Sequence, residues 1–373
     1  MTVHRWEHGA DAVLDARPLG AWAAPQLRRA LAEYDGLFAA LGVPAAVAVE
    51  VAQDCLAALR EWAPDLAGEV VELAAGAGVP VGRVALLAAR TEVLTAAPVA
   101  LPGECSTAVH VPADGGPPRT VQTWDWNDDL ASDVLVRTLR RPGGPRVATF
   151  CEFGQPAKIG VNDAGLGVHF NILRHRSDGG RGAVPVHALA RRVLDTAGSV
   201  PEAVGVVRSA AVSASTVLTV VDRTSAAFVE VSPAGVAVLP VPRGSTGVHT
   251  NHFLDPALAA GEATELLDSS RARLDALTAR ADAVAEPGAR ERVVALAGCD
   301  AGGCLAVRPR TGAPLLQRWA TKSTIALDLV GGRLQFGEGG PAEAAEAWQE
   351  FPVPGRPGER RVAGHRRRAG AER

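Results

Sequence analysis

Apolar residues recur every three or four positions through the first hundred residues and gather into short β-branched runs over much of the rest. Leu27, Leu31, Tyr34, Leu37 and Leu41 trace one face of a helix that opens near Pro25 and stops at Gly42. Val47, Val51, Cys55 and Leu59 repeat that spacing between Pro44 and Trp62. Pro64 and Asp65 open a third helix, closed near Gly76 and Gly78, and a fourth covers Val81 to Leu94. The pattern predicts an all-helical N-terminal segment of about a hundred residues.

The period changes across Pro98–Gly103. Short β-branched runs follow, separated by Gly and Pro: Thr107–Val111, Thr120–Thr123, Val147–Phe150, Lys158–Val161 and Gly167–Phe170. A helix pair, Val186–Ala197 and Pro201–Ser209, interrupts them around Gly198. Strand signals resume at Ser215–Val221, Ala226–Val231, Gly235–Leu239 and Thr246–Thr250. A long helix is expected from Glu262 to Ala283, then two last strands, Ser323–Leu329 and Arg333–Phe336. Strands, helices and strands again indicate a layered α+β arrangement rather than a doubly wound sheet. From Pro352 onward the chain is Pro/Gly/Arg-rich, with an Arg366-Arg367-Arg368 cluster, and reads as a disordered tail.

Composition narrows the function classes. A hydrophobic fraction of 47% with few aromatics implies an Ala/Val/Leu core. A net charge of −3 argues against a nucleic-acid partner whose phosphates must be neutralised. Lys158 and Lys322 are the only lysines; arginine supplies the other basic positions. The cysteines (Cys55, Cys105, Cys151, Cys299, Cys304) form no CxxC pair, so neither a zinc ribbon nor a dithiol motif is supported. A reducing compartment fits them better than a disulfide framework. Neither a signal-peptide core nor a membrane-length apolar run is present, and the chain reads as soluble and cytoplasmic.

The candidate chemistry centres on Gly103-Glu104-Cys105-Ser106-Thr107 and Gln122-Thr123-Trp124-Asp125-Trp126. Cys105 stands at the helical-to-β junction, at the tip of the first strand that follows it. A chain cut before Cys105 would make it both nucleophile and N-terminus. A free α-amine has a pKa of about 7.7–8 and can take the thiol proton itself, so no triad is needed. A buried free cysteine is the bland alternative.

If Thr107–Val111 and Thr120–Thr123 pair as a hairpin, Asp125 returns to the level of Cys105, where its carboxylate can orient the new amine. Trp124 and Trp126 can wall an apolar acyl pocket, or simply be core aromatics around a capping aspartate. Asn251, in Val248-His249-Thr250-Asn251-His252-Phe253, can offer its amide to an oxyanion. His249 and His252 raise the thought of a metal, but no third ligand follows at a recognisable spacing. Arg318 precedes a strand; near the nucleophile it would lower a thiol pKa, and otherwise it is an exposed strand-entrance arginine. Gly337-Glu338-Gly339-Gly340 lacks the strand–helix context of a dinucleotide site.

These motifs resemble the acyl-coenzyme A:isopenicillin N (6-aminopenicillanic acid) acyltransferase family, the C45 group of self-processing N-terminal-nucleophile (Ntn) enzymes. The resemblance runs from about Trp62 to Gly340. It is carried by Glu61-Trp62-Ala63-Pro64, Arg90-Thr91-Glu92, Cys105-Ser106-Thr107, Gln122–Trp126, Lys158–Val168 with Phe170-Asn171, Val184–His187, Val248–His252 and Arg318–Thr321. It implies a four-layer αββα Ntn-hydrolase sandwich behind a helical pro-segment, and cleavage between Glu104 and Cys105. Residues 1–104 would stay bound as an α-chain, 105–350 would form the catalytic β-chain, and 351–373 the tail. Carried over, Cys105 is the nucleophile, Asp125 supports the amine, Asn251 lies in the oxyanion hole and Arg318 sits beside the site. Trp124, Trp126, Phe170 and Asn171 are the expected substrate contacts.

Two departures stand out. Glu104 occupies the position of a family glycine before the cut, where a side chain limits backbone strain. Thr123 replaces the usual Asn before Trp-Asp. The resulting expectation is a Cys-dependent enzyme acting on a small amide or thioester, without metal or cofactor, with acyl-CoA a possible co-substrate and no membrane or nucleic-acid partner. Hydrolysis and acyl transfer both remain open. So do an uncut thiol hydrolase pairing Cys105 with His249 or His252, and a silent binding protein on the same fold.

Overall fold

The computed structural model describes residues 1–7, 16–98, 105–263, 268–299, 305–309 and 312–353. Glu104, and hence the expected scissile bond, lies outside the described residues, as do Cys304 and nearly all of the expected tail.

The N-terminal segment is not all helix. A strand, β1 (Thr2–Glu7), precedes α1 (Ala16–Ala40), α2 (Ala45–Trp62), α3 (Pro64–Ala77), α4 (Val81–Ala88) and α5 (Arg90–Thr95). The single helix expected over Val81–Leu94 is thus broken at Ala89, whose φ and ψ of −106° and 21° leave the helical region. Gly78 ends α3 in the left-handed region at φ 61°, as a C-cap glycine does. Gly76 has a different task. A Cβ on it would lie 2.0 Å from the carbonyl oxygen of Arg17, and one on Gly20 would lie 2.1 Å from that of Leu73. The two glycines let α1 and α3 cross with their backbones in contact, which no larger residue permits.

The chain then builds β2 (Ser106–Val111), β3 (Arg119–Asn127), β4 (Asp133–Arg140), β5 (Arg146–Glu152), β6 (Ile159–Asn162) and β7 (Gly167–Ile172). Helices α6 (Val186–Thr196) and α7 (Val200–Arg208) precede β8 (Thr216–Val221), β9 (Ala226–Ser232), β10 (Gly235–Pro240) and β11 (Ser245–His249). After α8 (Pro256–Ala259), the helix expected over Glu262–Ala283 is shorter: α9 (Asp268–Thr278), with a separate turn, α10 (Ala281–Val284). Next come α11 (Ala289–Cys299), β12 (Trp319–Asp328), β13 (Arg333–Glu338), α12 (Pro341–Glu346) and β14 (Gln349–Pro352). The sequence pattern predicts none of β1, β4, β14, α8, α11 and α12.

Two sheets result. The larger has eight strands in the order β1-β4-β5-β6-β7-β8-β9-β10; the smaller has six, β11-β2-β3-β12-β13-β14. Their inner faces pack on each other, with α6 and α7 outside the large sheet and α9 to α12 outside the small one. This is the expected four-layer αββα order. Side-chain alternation sorts the two cores. Cys105, just before β2, joins Val109 and Val111 of β2 in the central core between the sheets, whereas Ala108 joins a second cluster with Val121, Leu277, Val293 and Leu296 under the outer helices.

Buried ion pairs tie the N-terminal helices to the large sheet. Arg137 of β4 meets Glu69 of α3 at 2.6 Å, and Arg191 of α6 bridges Glu69 and Asp195. Among the described residues no single helix is long and apolar enough to cross a membrane.

Candidate active site

Cys105 immediately precedes β2, and pairing of β2 with β3 sets Ser106 opposite Thr123. The next step of that register places Cys105 beside Trp124, with Asp125 one residue further on, as the hairpin argument expects. The thiol is buried, and its Sγ lies 4.0 Å from the main-chain oxygen of Asp125. On the other side of β3, the register shifts between Thr321 and Ser323 of β12, directly opposite Trp124 and Asp125. Such a bulge re-aims side chains beside a site.

The backbone of Cys105 is held by two donors. Asn171 Nδ2 donates to its carbonyl oxygen at 3.1 Å, and Arg273 Nη1 at 2.8 Å. Arg273 also donates to Ser106 Oγ at 2.9 Å and, through Nη2, to Asn251 Oδ1 at 3.0 Å. Because a guanidinium has only donors, this contact fixes which end of the Asn251 amide is oxygen. Asn251 Nδ2 donates to Ile172 O at 2.8 Å, which uses one of its two hydrogens. Ser270 of α9 holds Asn251 from behind, accepting from its main-chain N–H at 2.9 Å.

Asn171 is a hub rather than a pocket wall. Its Nδ2 also faces the carbonyl oxygens of His249 and Thr250, and its Oδ1 accepts from Thr107 Oγ1 at 2.7 Å and from Gln122 Nε2 at 3.2 Å. Phe170 points the other way along β7 and stacks on His187 of α6, ring centroids 4.6 Å apart. The expected wall residue therefore belongs to the helix layer, a consequence of the period-2 alternation with Asn171.

Arg318 does not reach Cys105 in this structure. It donates to Ala313 O at 2.7 Å and pairs with Asp129 at 2.9 Å, both side chains more than 40% exposed. The register explains why. Trp319 pairs with Asn127, so Arg318 falls level with residue 128, about 13 Å along β3 from Trp124. The guanidinium that binds the Cys105 main chain is that of Arg273. A signal existed for it in the sequence: Ser270, Arg273 and Leu277 share one helical face, and an arginine on a face that also carries core leucine needs a buried partner.

A second group of charges packs behind the two tryptophans. Lys158 lies with Nζ 3.9 Å above the ring centroid of Trp124 and 5.7 Å from that of Trp126, and 3.3 Å from Glu152 Oε1. Arg90, from α5, meets the same oxygen at 2.6 Å and covers Trp126 at 4.4 Å. Tyr34, from α1, donates to Glu152 Oε2. Burial opposes the Glu152 charge, but Arg90 and then Lys158 overcome it and bring the carboxyl down to about 2. Burial also brings Lys158 down to about 8, against the pull of Glu152. At Cys105, burial pushes the thiol up to about 11; Lys158 opposes that rise and the Asp125 carboxylate adds to it.

Neither histidine is directed at the thiol. His249 Nε2 meets Glu230 Oε1 at 2.8 Å while Nδ1 faces Thr250 O, and His252 Nδ1 meets Ser270 Oγ at 2.7 Å. Among the described residues no cluster of His, Cys, Asp and Glu is arranged to hold a metal.

A family profile described as acyl-coenzyme A:6-aminopenicillanic acid acyl-transferase matches residues 113–309, just over half the chain. The chain belongs to that family. The matched span runs from the β2–β3 turn to the segment before β12, and includes Asp125, Lys158, Asn171, Asn251 and Arg273. Among curated proteins, the 40 kDa form of the acyl-coenzyme A:6-aminopenicillanic-acid acyltransferase of Emericella nidulans is 27% identical over 211 residues, 56% of this chain. The match spans 58% of that relative's length. Among solved structures, penicillin V acylase from Agrobacterium tumefaciens is similar at 18% identity with a TM-score of 0.48, covering 63% of this chain and 83% of the acylase. A variant conjugated bile acid hydrolase from Clostridium perfringens is similar at 14% identity with a TM-score of 0.46, covering 63% and 89%.

Proposed function

We propose that this family member is a self-processing cysteine enzyme that cleaves before Cys105 and then passes acyl groups through an acyl-Cys105 intermediate. The observation that carries this reading is the convergence on Cys105 of Asn171 and Arg273, which hold its carbonyl, and of Asn251, which Arg273 orients. In the first cut the thiol attacks the Glu104 carbonyl and gives a thioester. The scissile C–N bond breaks as that thioester forms, which frees the α-amine of Cys105; water then opens the thioester, releasing the Cys105 thiol and the Glu104 carboxylate.

That amine supplies what the buried thiol lacks. With the thiol pushed up to about 11, little thiolate exists at neutral pH, whereas an α-amine near 7.7–8 is a competent base at about the same pH. It takes the thiol proton as sulfur attacks a small amide or thioester. The remaining hydrogen of Asn251 Nδ2 meets the oxyanion, aided by a main-chain N–H. The acyl group then goes to water or to an amine acceptor; an acyl-CoA thioester is an admissible donor, and no metal or resident cofactor is required. Residues 1–104 stay attached as the α-chain, and the buried Arg90–Glu152 and Arg137–Glu69 pairs across the junction favour that.

The uncut thiol hydrolase, with His249 or His252 as base, is disfavoured because both rings are engaged by Glu230 and Ser270. A silent binding protein is disfavoured by the retained Cys105, Asp125 and Asn251. The test is to incubate the protein with phenoxyacetyl-coenzyme A or phenoxyacetyl amides and weigh it under denaturing conditions. One acyl group on the Cys105 peptide, absent in Cys105→Ala, is expected. Turnover by Cys105→Ala would end the proposal.

A further inference from the structure

The α-amine cannot serve the first cut, because before it that nitrogen is an amide. Something else must compensate the charge when the buried thiol gives up its proton. Resting on the acyl-Cys105 reading, we propose that Lys158 is the proton and charge partner of Cys105, carrying the ammonium that balances the thiolate during self-cleavage.

The placement supports this in three ways. Lys158 is one of two lysines in the chain and is almost wholly buried, within an otherwise apolar run, Ala157–Val161. Its Nζ rests on the indole of Trp124, the cross-strand neighbour of Cys105 on the same inner face of the small sheet. Its four-carbon stem lets the terminal amine swing from that ring toward sulfur, a freedom that Arg90, pinned on Glu152 and Trp126, lacks.

The titratable groups around the pair come from six elements. Glu152 of β5 faces Nζ, and Arg90 of α5 and Tyr34 of α1 share that carboxylate. His187 of α6 is buried and pushed well below its ordinary range, so it is neutral. Asp125 of β3 and Arg273 of α9 act on the thiol with opposite sign. Lys158 lowers the thiol and Cys105 raises the amine, so each favours the other's charged form. Burial brings the Lys158 amine down to about 8, so a share of it is neutral near that pH and can accept the thiol proton, giving thiolate and ammonium.

The step balances. The S–H bond breaks and its proton moves to the Lys158 amine. Sulfur bonds to the Glu104 carbonyl carbon, the C–N bond breaks, and the same proton is returned to the departing nitrogen. Lys158 is restored, and a thioester and a free α-amine remain. Tyr34 and Arg90 belong to the segment before the cut, so that segment helps to set the charge beside the nucleophile.

The test is a difference titration of ultraviolet thiolate absorbance, wild type minus Cys105→Ser, repeated with Lys158→Met and Lys158→Arg, together with precursor loss by intact mass. Lys158→Met should raise the Cys105 thiolate midpoint by about one pH unit or more and slow the cut roughly tenfold at neutral pH. Lys158→Arg, which keeps the charge, should restore most of the midpoint. An unmoved midpoint in Lys158→Met, or equal rises in Met and Arg, would overturn the pairing. Should Lys158→Met fail to fold by circular dichroism, Lys158→Gln, which keeps a donor for Glu152, carries the same expectation. A wild-type chain that never cuts would defeat self-processing, while the titration would still decide the pair.

Discussion

Arg273 donates to the carbonyl oxygen of Cys105 at 2.8 Å and, from the other arm of the same guanidinium, to Asn251 Oδ1 at 3.0 Å. Cys105 and Asn251, the proposed nucleophile and oxyanion donor, are therefore both set by one planar group on α9. A lysine has no fork and can serve one of the two at a time. Arg273→Lys should fold but cut and turn over roughly tenfold to a hundredfold more slowly, with kcat falling more than KM rises. Wild-type kcat in Arg273→Lys would remove the guanidinium from the site.

The bond that Asn251 makes to Ile172 O and the oxyanion role proposed for it separate in measurement. Loss of an oxyanion donor should lower kcat roughly a hundredfold or more in Asn251→Ala. Loss of its bond to Ile172 O should cost about 1 kcal/mol of stability, read as a fall of a few degrees in Tm. Normal turnover with a lowered Tm would leave Asn251 with the structural duty alone.

Arg318 is expected to be silent. Its pair with Asp129 is exposed on both sides, and such pairs contribute about 0–1 kcal/mol. Arg318→Ala should leave self-cleavage, kcat and Tm near wild type. A loss of activity above about tenfold would show that Arg318 reaches the site in the working enzyme.

Glu92 makes the fold pH-dependent. Its Oε1 accepts from the N–H of Val186 at the start of α6 at 2.7 Å, and burial raises its carboxyl from 4.5 to about 7. Below the unfolded value both states hold the proton and the group contributes nothing. Between about 4.5 and about 7 the unfolded chain has lost it and the native protein has not, so stability falls as pH rises; above that window the loss is complete. Glu92→Gln keeps an acceptor for Val186 and removes the titration. Its Tm advantage over wild type should be larger at about pH 8 than at about pH 5. Parallel melting profiles would contradict the assignment.

The helical prefix, the hairpin that returns Asp125 to Cys105, and the layered sheets were legible because period and turn chemistry are local. Residues whose meaning depends on register were not. Arg318 and Arg273 look alike along the chain, and only the pairing of Trp319 with Asn127 sends the first to the rim. Phe170 and Asn171 are adjacent, yet alternation sends one to α6 and the other to Cys105. The strand β1 escaped notice because its partner, β4, lies 129 residues away between His4 and Asp133, and pairs in parallel. In the sequence Lys158 is one of two lysines and opens the Lys158–Val168 run, but its neighbours Arg90 and Glu152 come from separate elements.

The central claim is tested most directly by intact mass and N-terminal sequencing of the purified protein under denaturing conditions. Two chains are predicted, the larger beginning Cys105-Ser106-Thr107, with a single uncut chain in Cys105→Ala. One intact wild-type chain that turns over its amide or thioester substrate at full rate would contradict the account.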